Sequence, residues 1–201
     1  MQTGLLIVFE GIDGSGKSTQ VALLAAALRQ RFSDVITTRE PTQGPHGMEL
    51  RRSAASGRHD ARREAELFLL DRREHVESLI SPGLSRGAII LCDRYYLSTV
   101  AYQGARGLER SELLRQNQAI APAPDLALFI DVPVEDALTR IRQGRGGRVD
   151  DFERSDLLAR SRQIYLELCS AFPFFQRIDG SAAPGSVHAQ VLSAVNDLLP
   201  E

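Results

Sequence analysis

Gly11-Ile12-Asp13-Gly14-Ser15-Gly16-Lys17-Ser18 reads G-x-x-x-x-G-K-[ST]. It stands between the apolar run Leu5-Leu6-Ile7-Val8-Phe9 and a stretch where Val21, Leu24, Ala25, Leu28 and Phe32 recur at helical spacing. An unbroken apolar run is what a strand buried on both faces requires, and the period behind the loop marks an amphipathic helix. Between a strand and a helix, the octapeptide reads as a Walker A phosphate loop. Gly11, Gly14 and Gly16 let the backbone curl so that the N–H groups from Ile12 and Asp13 through Ser15 to Thr19 face a polyphosphate, toward which the helix also turns its positive end. Lys17 is then expected at the terminal phosphates, and the Ser18 hydroxyl on Mg²⁺.

Outward from this loop, the chain alternates strand and helix signals. Val35-Ile36-Thr37-Thr38, Ala88-Ile89-Ile90-Leu91-Cys92, Leu126-Ala127-Leu128-Phe129-Ile130 and Phe174-Phe175-Gln176-Arg177-Ile178 read as further strands. Helical patterns lie at 48–57, at 62–80 with Ala65, Leu69, Val76 and Ile80 turned inward, at 135–142, at 155–171, and at the end, where Val187, Val191, Val195 and Leu198 mark the packed side. The expected architecture is α/β: a three-layer P-loop NTPase fold with a mainly parallel five-stranded sheet flanked by helices. The 201 residues, 43% of them hydrophobic, suffice for one domain with a full core.

Bulk charge excludes some partners. With 24 basic and 26 acidic residues the net charge is −2, which gives no general surface for nucleic acid or anionic membrane. Cys92 and Cys169 are far apart, and Cys92 ends an apolar run, so neither a disulfide nor a metal role is expected. No basic segment precedes the first apolar run and no stretch approaches the ~20 apolar residues of a membrane span, which points to the cytoplasm.

In open α/β sheets ligands bind at the carboxyl ends of the strands, so the polar residues there matter most. Arg39-Glu40-Pro41-Thr42-Gln43-Gly44-Pro45 follows the second strand as a loop, although a solvated Arg39–Glu40 ion pair is an equally good reading. Asp93-Arg94-Tyr95 ends the third strand, followed by Ser98-Thr99-Val100-Ala101-Tyr102-Gln103-Gly104, whose hydroxyls and amide suit a nucleoside. Phe68 and Arg72 lie one helical turn apart and can sandwich and hydrogen-bond a planar base; spacing alone favours a core Phe beside an exposed Arg. Gln143-Gly144-Arg145-Gly146-Gly147-Arg148-Val149-Asp150-Asp151 is expected to be a mobile loop, read either as a polar connector or as an arginine-bearing lid spanning about residues 142–152.

These features together resemble the thymidylate kinases, over essentially the whole chain. The marks are Phe9-Glu10-Gly11-Ile12-Asp13-Gly14-Ser15-Gly16-Lys17-Ser18-Thr19, Arg39-Glu40-Pro41, Phe68 with Asp71-Arg72, and the run from Leu91 through Asp93-Arg94-Tyr95 to Gln103. The resemblance implies Mg²⁺-dependent phosphoryl transfer from ATP to dTMP by a homodimer. It implies that Phe68 stacks on thymine, Arg72 bonds the base edge, and Thr99 and Gln103 lie near the base. Tyr102 would lie against the deoxyribose, with Asp13 near the sugar 3′-hydroxyl and the metal. Arg94 would grip the dTMP phosphate, helped by Arg39 and Glu40. Arg140 would belong to the ATP side, and Arg145 and Arg148 would act from the lid, since Gly14 stands where another form of the family has arginine. The loop departs from the Glu-Pro-Gly-Gly-Thr of many relatives by reading Glu40-Pro41-Thr42-Gln43-Gly44. The residues by themselves leave open a P-loop kinase for another monophosphate or a deoxynucleoside, or a nucleotide-binding switch.

Overall fold

The computed structural model describes residues 4–145 and 151–199. Strand β1 (Leu5–Glu10) is the middle of a five-stranded sheet ordered β2-β3-β1-β4-β5, in which β2 is Val35–Arg39, β3 Ile89–Asp93, β4 Leu126–Asp131 and β5 Phe175–Asp179. Every neighbouring pair is parallel, so the sheet expected to be mainly parallel is wholly so.

Alternate residues of β1 feed two cores. Leu6 and Val8 pack with Val76, Ile80, Val100, Leu158 and Tyr165 on one face of the sheet. Ile7 and Phe9 pack with Leu24 of helix α1 (Lys17–Leu28) and with Val187, Val191 and Val195 of α9 (Pro184–Asn196) on the other. Because both faces of the inner strands β1, β3 and β4 are covered, these need side chains apolar in both directions and the sequence shows them as continuous runs, whereas the edge strands β2 and β5 are partly exposed.

Between β2 and β3 lie α2 (Pro45–Ser56), α3 (Ala61–His75), a π-helical turn (Val76–Ile80) and α4 (Ser81–Ser85). Asp60 starts α3 by accepting from the Arg62 and Arg63 amides. After β3 come α5 (Tyr96–Ala105) and α6 (Arg110–Gln118); α7 (Val134–Arg145) follows β4, and α8 (Asp151–Ala171) leads to β5. Among the described residues no helix is long and apolar enough to cross a membrane, and both cysteines are free.

Four expectations need correction. Helix α7 continues through Gln143, Gly144 and Arg145, and α8 already begins at Asp151, so the helices extend into both ends of the stretch read as a loop; the remainder, with Arg148, lies outside the described residues. One glycine near a helix end costs only about 1 kcal/mol, too little to stop the helix. The fully buried side of α3 is formed by Glu64, Leu67, Asp71, Arg72 and His75, while Ala65 packs against the core only partly buried and Leu69 is half-buried, because this helix turns a polar face inward. Helix α6 carries few apolar residues and was not expected. Leu198 lies beyond α9 and is exposed.

Register brings the site together. Arg39 of β2 and Phe9 of β1 both pair with Asp93 of β3, so these three strands end level. The chain leaves β1 toward the face covered by α1 and leaves β3 toward the opposite face, covered by α5, and the crevice opens between them at the carboxyl ends.

Candidate active site

The phosphate loop leaves β1 with Gly14 at φ 81° and Gly16 at φ 98°, backbone that other residues adopt at a cost. Gly16 caps α1 without any side chain bonding the first-turn amides, so those N–H groups remain for a ligand at the positive end of the helix. Ile12 anchors the loop in the core, and Gly11 and Ser15 are buried beside it. The Lys17 amine donates to Ile12 O at 2.9 Å and lies 3.4 Å from Ser15 Oγ. Burial, with the Arg94 charge, lowers its pKa to about 8 against the pull of Asp93, Asp13 and Glu10. Ser18 and Thr19 are exposed at the loop mouth, and Ser18 Oγ donates to Asp93 Oδ2.

Arg94 stands at the tip of β3 with φ 72°. A non-glycine residue held there stores on the order of 1–3 kcal/mol of strain and persists only where the surroundings impose it. The bond from Arg94 N to Phe9 O (2.9 Å) does part of that. The guanidinium donates to Asp13 Oδ1 at 2.7 Å, Ser98 Oγ at 3.0 Å and Tyr102 Oη at 3.3 Å, and lies 5.0 Å from the centre of the Tyr102 ring. Tyr102 Oη also accepts from Asp13 N at 2.9 Å, and burial raises the phenol pKa to about 12, so it stays neutral.

Two cavities meet here. One, of about 300 Å³, has Phe68, Arg72, Tyr102 and Gln103 in its lining. The other, of about 810 Å³, is lined by Gly14, Gly16, Lys17, Ser18, Thr19 and Arg39, with Arg140 and Ile141 beyond them. Asp13, Glu40, Pro41, Arg51 and Arg94 line both and so form their common wall.

Arg72 is buried rather than exposed. Its Nε and Nη2 donate to Glu40 Oε2 at 2.9 and 2.5 Å, and its Nη1 donates to Thr99 Oγ1 at 3.2 Å and to Asn117 Oδ1. Four of its five N–H groups are thereby used, and one on Nη2 remains. Thr99 therefore sits behind Arg72 and does not line the cavity. Glu40 Oε1 meets His75 Nδ1 at 3.0 Å, and His75 Nε2 meets Thr38 Oγ1 at 2.7 Å. Gln103 donates through Nε2 to Glu64 Oε2 at 3.0 Å, which turns its Oε1 the other way, buried and without a partner.

Arg39 lines the larger cavity beside the phosphate loop and is exposed. Arg140 donates to Ser15 O (3.3 Å) and Gly180 O (3.0 Å), clamping the phosphate loop to the turn after β5. A Cβ on Gly14 would lie 2.4 Å from Ala137 O of α7, so this packing excludes a side chain there.

The sequence model of the family described as "Thymidylate kinase" matches residues 9–191. The chain belongs to the thymidylate kinase family. It is 46% identical over 197 residues to a thymidylate kinase of Desulfotalea psychrophila, with 98% of this chain and 96% of that one covered. It is 49% identical over 200 residues to one from Xanthomonas campestris pv. campestris, with 98% and 86% covered. Its structure is similar to that of the thymidylate kinase of Ehrlichia chaffeensis, with a TM-score of 0.79, 29% identity, and 96% of this chain and 99% of that one covered. As a member of the thymidylate kinase family, the chain is an ATP-using nucleotide kinase.

Several residues of the site have roles that motif spacing does not reveal. Asp93 ends β3 in contact with Ser18, whereas Asp13, expected with the metal, pairs with Arg94. Arg51 bonds Thr42 O and Pro41 O and faces both cavities; burial and the Arg39 charge lower its pKa. Asn117 comes from the unexpected α6. The signal for Arg51 was the polarity of a helix that otherwise had little reason to form. In the loop that departs from many relatives, Thr42 finds its own anchor: Asp71 accepts from Thr42 N (2.8 Å) and Oγ1 (2.6 Å), and Thr42 Oγ1 accepts from Gly44 N (2.9 Å).

Proposed function

We propose that the chain transfers the terminal phosphoryl group of ATP to dTMP, giving dTDP and ADP, with the triphosphate in the larger cavity and dTMP in the smaller. The observation that carries this reading is the wall shared by the two cavities, where Arg51 and Arg94 face both and Lys17 lies on the triphosphate side.

Thymine offers an acceptor at O4, a donor at N3 and a methyl group. The remaining Arg72 N–H suits O4, the unpartnered Gln103 Oε1 suits N3–H, and Phe68 offers a face for stacking. Tyr102 lies against the deoxyribose, and Arg94 with Arg51 takes the acceptor phosphate. Arg39 aids from the triphosphate side, while Glu40 acts by fixing Arg72.

Transfer between two anions needs them brought in line with their charge neutralised, and a phosphate monoester near neutral pH is already largely ionised, so no general base is required. Lys17, Arg94, Arg145 and Arg148 supply cations. The loop amides from Gly11 to Thr19 hold the triphosphate, and Arg140 borders the nucleoside end.

Mg²⁺ fits this site. Ser18 Oγ and the Asp93 carboxylate are hard oxygen donors at the loop mouth, and Mg²⁺ takes few protein ligands beside phosphate and water. They would hold the ion, with Asp13 on the adjoining wall, and the ion would neutralise charge on the phosphates. The family resemblance also carries a homodimer, and the reading keeps the cytoplasmic setting expected from the sequence. Among the described residues the exposed large apolar side chains are Leu23 of α1, Leu70 of α3 and Leu198 beyond α9, far apart in the chain, so support for the dimer comes from the family alone.

An ADP-release assay with a panel of monophosphates tests the reading. dTMP should be the best acceptor. dUMP, lacking one methyl worth about 0.8 kcal/mol, should follow within several-fold. dCMP, whose N3 accepts and N4 donates against Gln103 and Arg72, should fall by at least ~100-fold. Equal turnover of dCMP or AMP would contradict the assignment.

A further inference from the structure

Glu10, the last residue of β1, is wholly buried and lines neither nucleotide cavity. Its carboxylate nevertheless gathers four hydrogen bonds. Oε1 accepts from Tyr95 N at 3.0 Å and Ser98 N at 3.2 Å; Oε2 accepts from Ser98 Oγ at 2.5 Å and Tyr165 Oη at 3.0 Å.

Two of these donors are amides at the start of α5, a helix whose N-cap residue, Tyr95, provides no side-chain cap. Glu10 thus satisfies, from another strand, amides that a capping side chain would otherwise take, and sets a negative charge at the positive end of the helix. Immediately before that helix stands Arg94 in its strained conformation, tied on one side by the bond from its N–H to Phe9 O. Glu10 holds the other side, through Tyr95 N. It also holds Ser98 Oγ, the atom on which Arg94 Nη1 rests.

We infer that Glu10 is a positioning residue that fixes Arg94 at the junction of the two cavities and, through Tyr165, ties that position to α8. The inference rests on the reading of Arg94 as the grip on the acceptor phosphate. Desolvation raises the Glu10 pKa to about 6, opposed by Ser98, Arg94, Tyr165 and Tyr95, so at neutral pH the carboxylate predominates and all four donors have their acceptor. A buried carboxylate in the strand before the phosphate loop would, if it served the loop, bond the loop; every bond of the Glu10 carboxylate goes instead to the segment carrying Arg94 or to α8.

The test compares Glu10→Gln, Arg94→Ala and the double variant, measuring KM for dTMP and the dissociation constant for ATP. Glu10→Gln should raise the dTMP KM about 10-fold or more and leave ATP binding within about 2-fold. The double variant should be no worse for dTMP than Arg94→Ala alone, because a residue acting through Arg94 loses its effect once Arg94 is gone. A merely structural role predicts instead equal losses for both nucleotides, or losses that multiply in the double variant, and either result overturns the inference. An Arg94→Ala effect on dTMP with none from Glu10→Gln also overturns it, whereas no effect from Arg94→Ala overturns the reading beneath it. Should Glu10→Gln fail to fold, Ser98→Ala, which removes the hydroxyl joining carboxylate, guanidinium and Tyr165 at the edge of the smaller cavity, replaces it in the same comparison with and without Arg94→Ala. A selective rise in dTMP KM then supports the inference, and a wild-type value overturns it.

Discussion

Arg94 Nη2 lies 2.7 Å from Asp13 Oδ1, and both side chains belong to the wall shared by the two cavities. The pair joins the tip of β3 to the phosphate loop, so the cation expected to meet the acceptor phosphate is held by the loop expected to carry the donor. Arg94→Ala should cost about 1.5–3 kcal/mol in kcat/KM for dTMP, or about 10- to 150-fold, the range for a hydrogen bond to a charged group. ATP affinity should change much less. Steady-state kinetics with each nucleotide varied in turn checks this, and equal losses for both would count against the assignment.

Lys17 makes nucleotide binding depend on pH. Its pKa of about 8 in the free protein, against 10.5 unperturbed, means that above pH 8 the amine is mostly neutral, while a polyphosphate favours the charged form. Binding must then take up a proton, and ATP affinity should fall by up to about tenfold per unit as pH rises from 8 toward the higher pKa of the complex. Calorimetry at pH 9 in two buffers of different ionisation heat measures the proton uptake directly. The same depressed pKa means that the unfolded chain binds more protons between pH 8 and 10.5, so Lys17 contributes stability that rises with pH across that window.

Glu40 and Arg72 form a buried ion pair at 2.5 Å, each side chain only 1% exposed. Removing one partner leaves the other charge uncompensated, which costs about 3–5 kcal/mol. Glu40→Ala should therefore lower the melting temperature by roughly 6–20 °C for a chain of this size. Arg39→Ala, which removes an exposed cation from the neighbouring residue, should leave thermal stability nearly unchanged.

Gly14 has φ 81°, and a Cβ there would lie 2.4 Å from a backbone oxygen of α7. Gly14→Ala should destabilise by more than the roughly 1–2 kcal/mol of a left-handed residue alone, and it should also weaken ATP, since the loop and α7 must part to accommodate it. Thermal denaturation with ATP titration reads both effects.

The five strands were legible to within about one residue at each end: β1, β3 and β4 because strands covered on both sides demand unbroken apolar runs, and the partly exposed edge strands β2 and β5 through their β-branched and aromatic residues. The phosphate loop was legible because its chemistry fixes residue types at fixed spacing. Hydrophobic periodicity failed where burial serves polar groups. Helix α3 turns Glu64, Asp71, Arg72 and His75 inward, and α6, with little apolar surface, brings Asn117 to Arg72. The smaller cavity does gather Phe68, Arg72, Arg94, Tyr102 and Gln103 from positions far apart in the chain. That Thr99 lies behind Arg72 rather than on the cavity wall, and that Asp93 rather than Asp13 meets Ser18, depends on side-chain direction that spacing does not carry.

The proposed transfer requires two nucleotides in the two cavities at once, their phosphates meeting at Arg94. Titrating dTMP by calorimetry into the protein saturated with Mg²⁺ and a non-hydrolysable ATP analogue tests it most directly. One dTMP should bind per chain without release of the analogue. Displacement of the analogue by dTMP would contradict it.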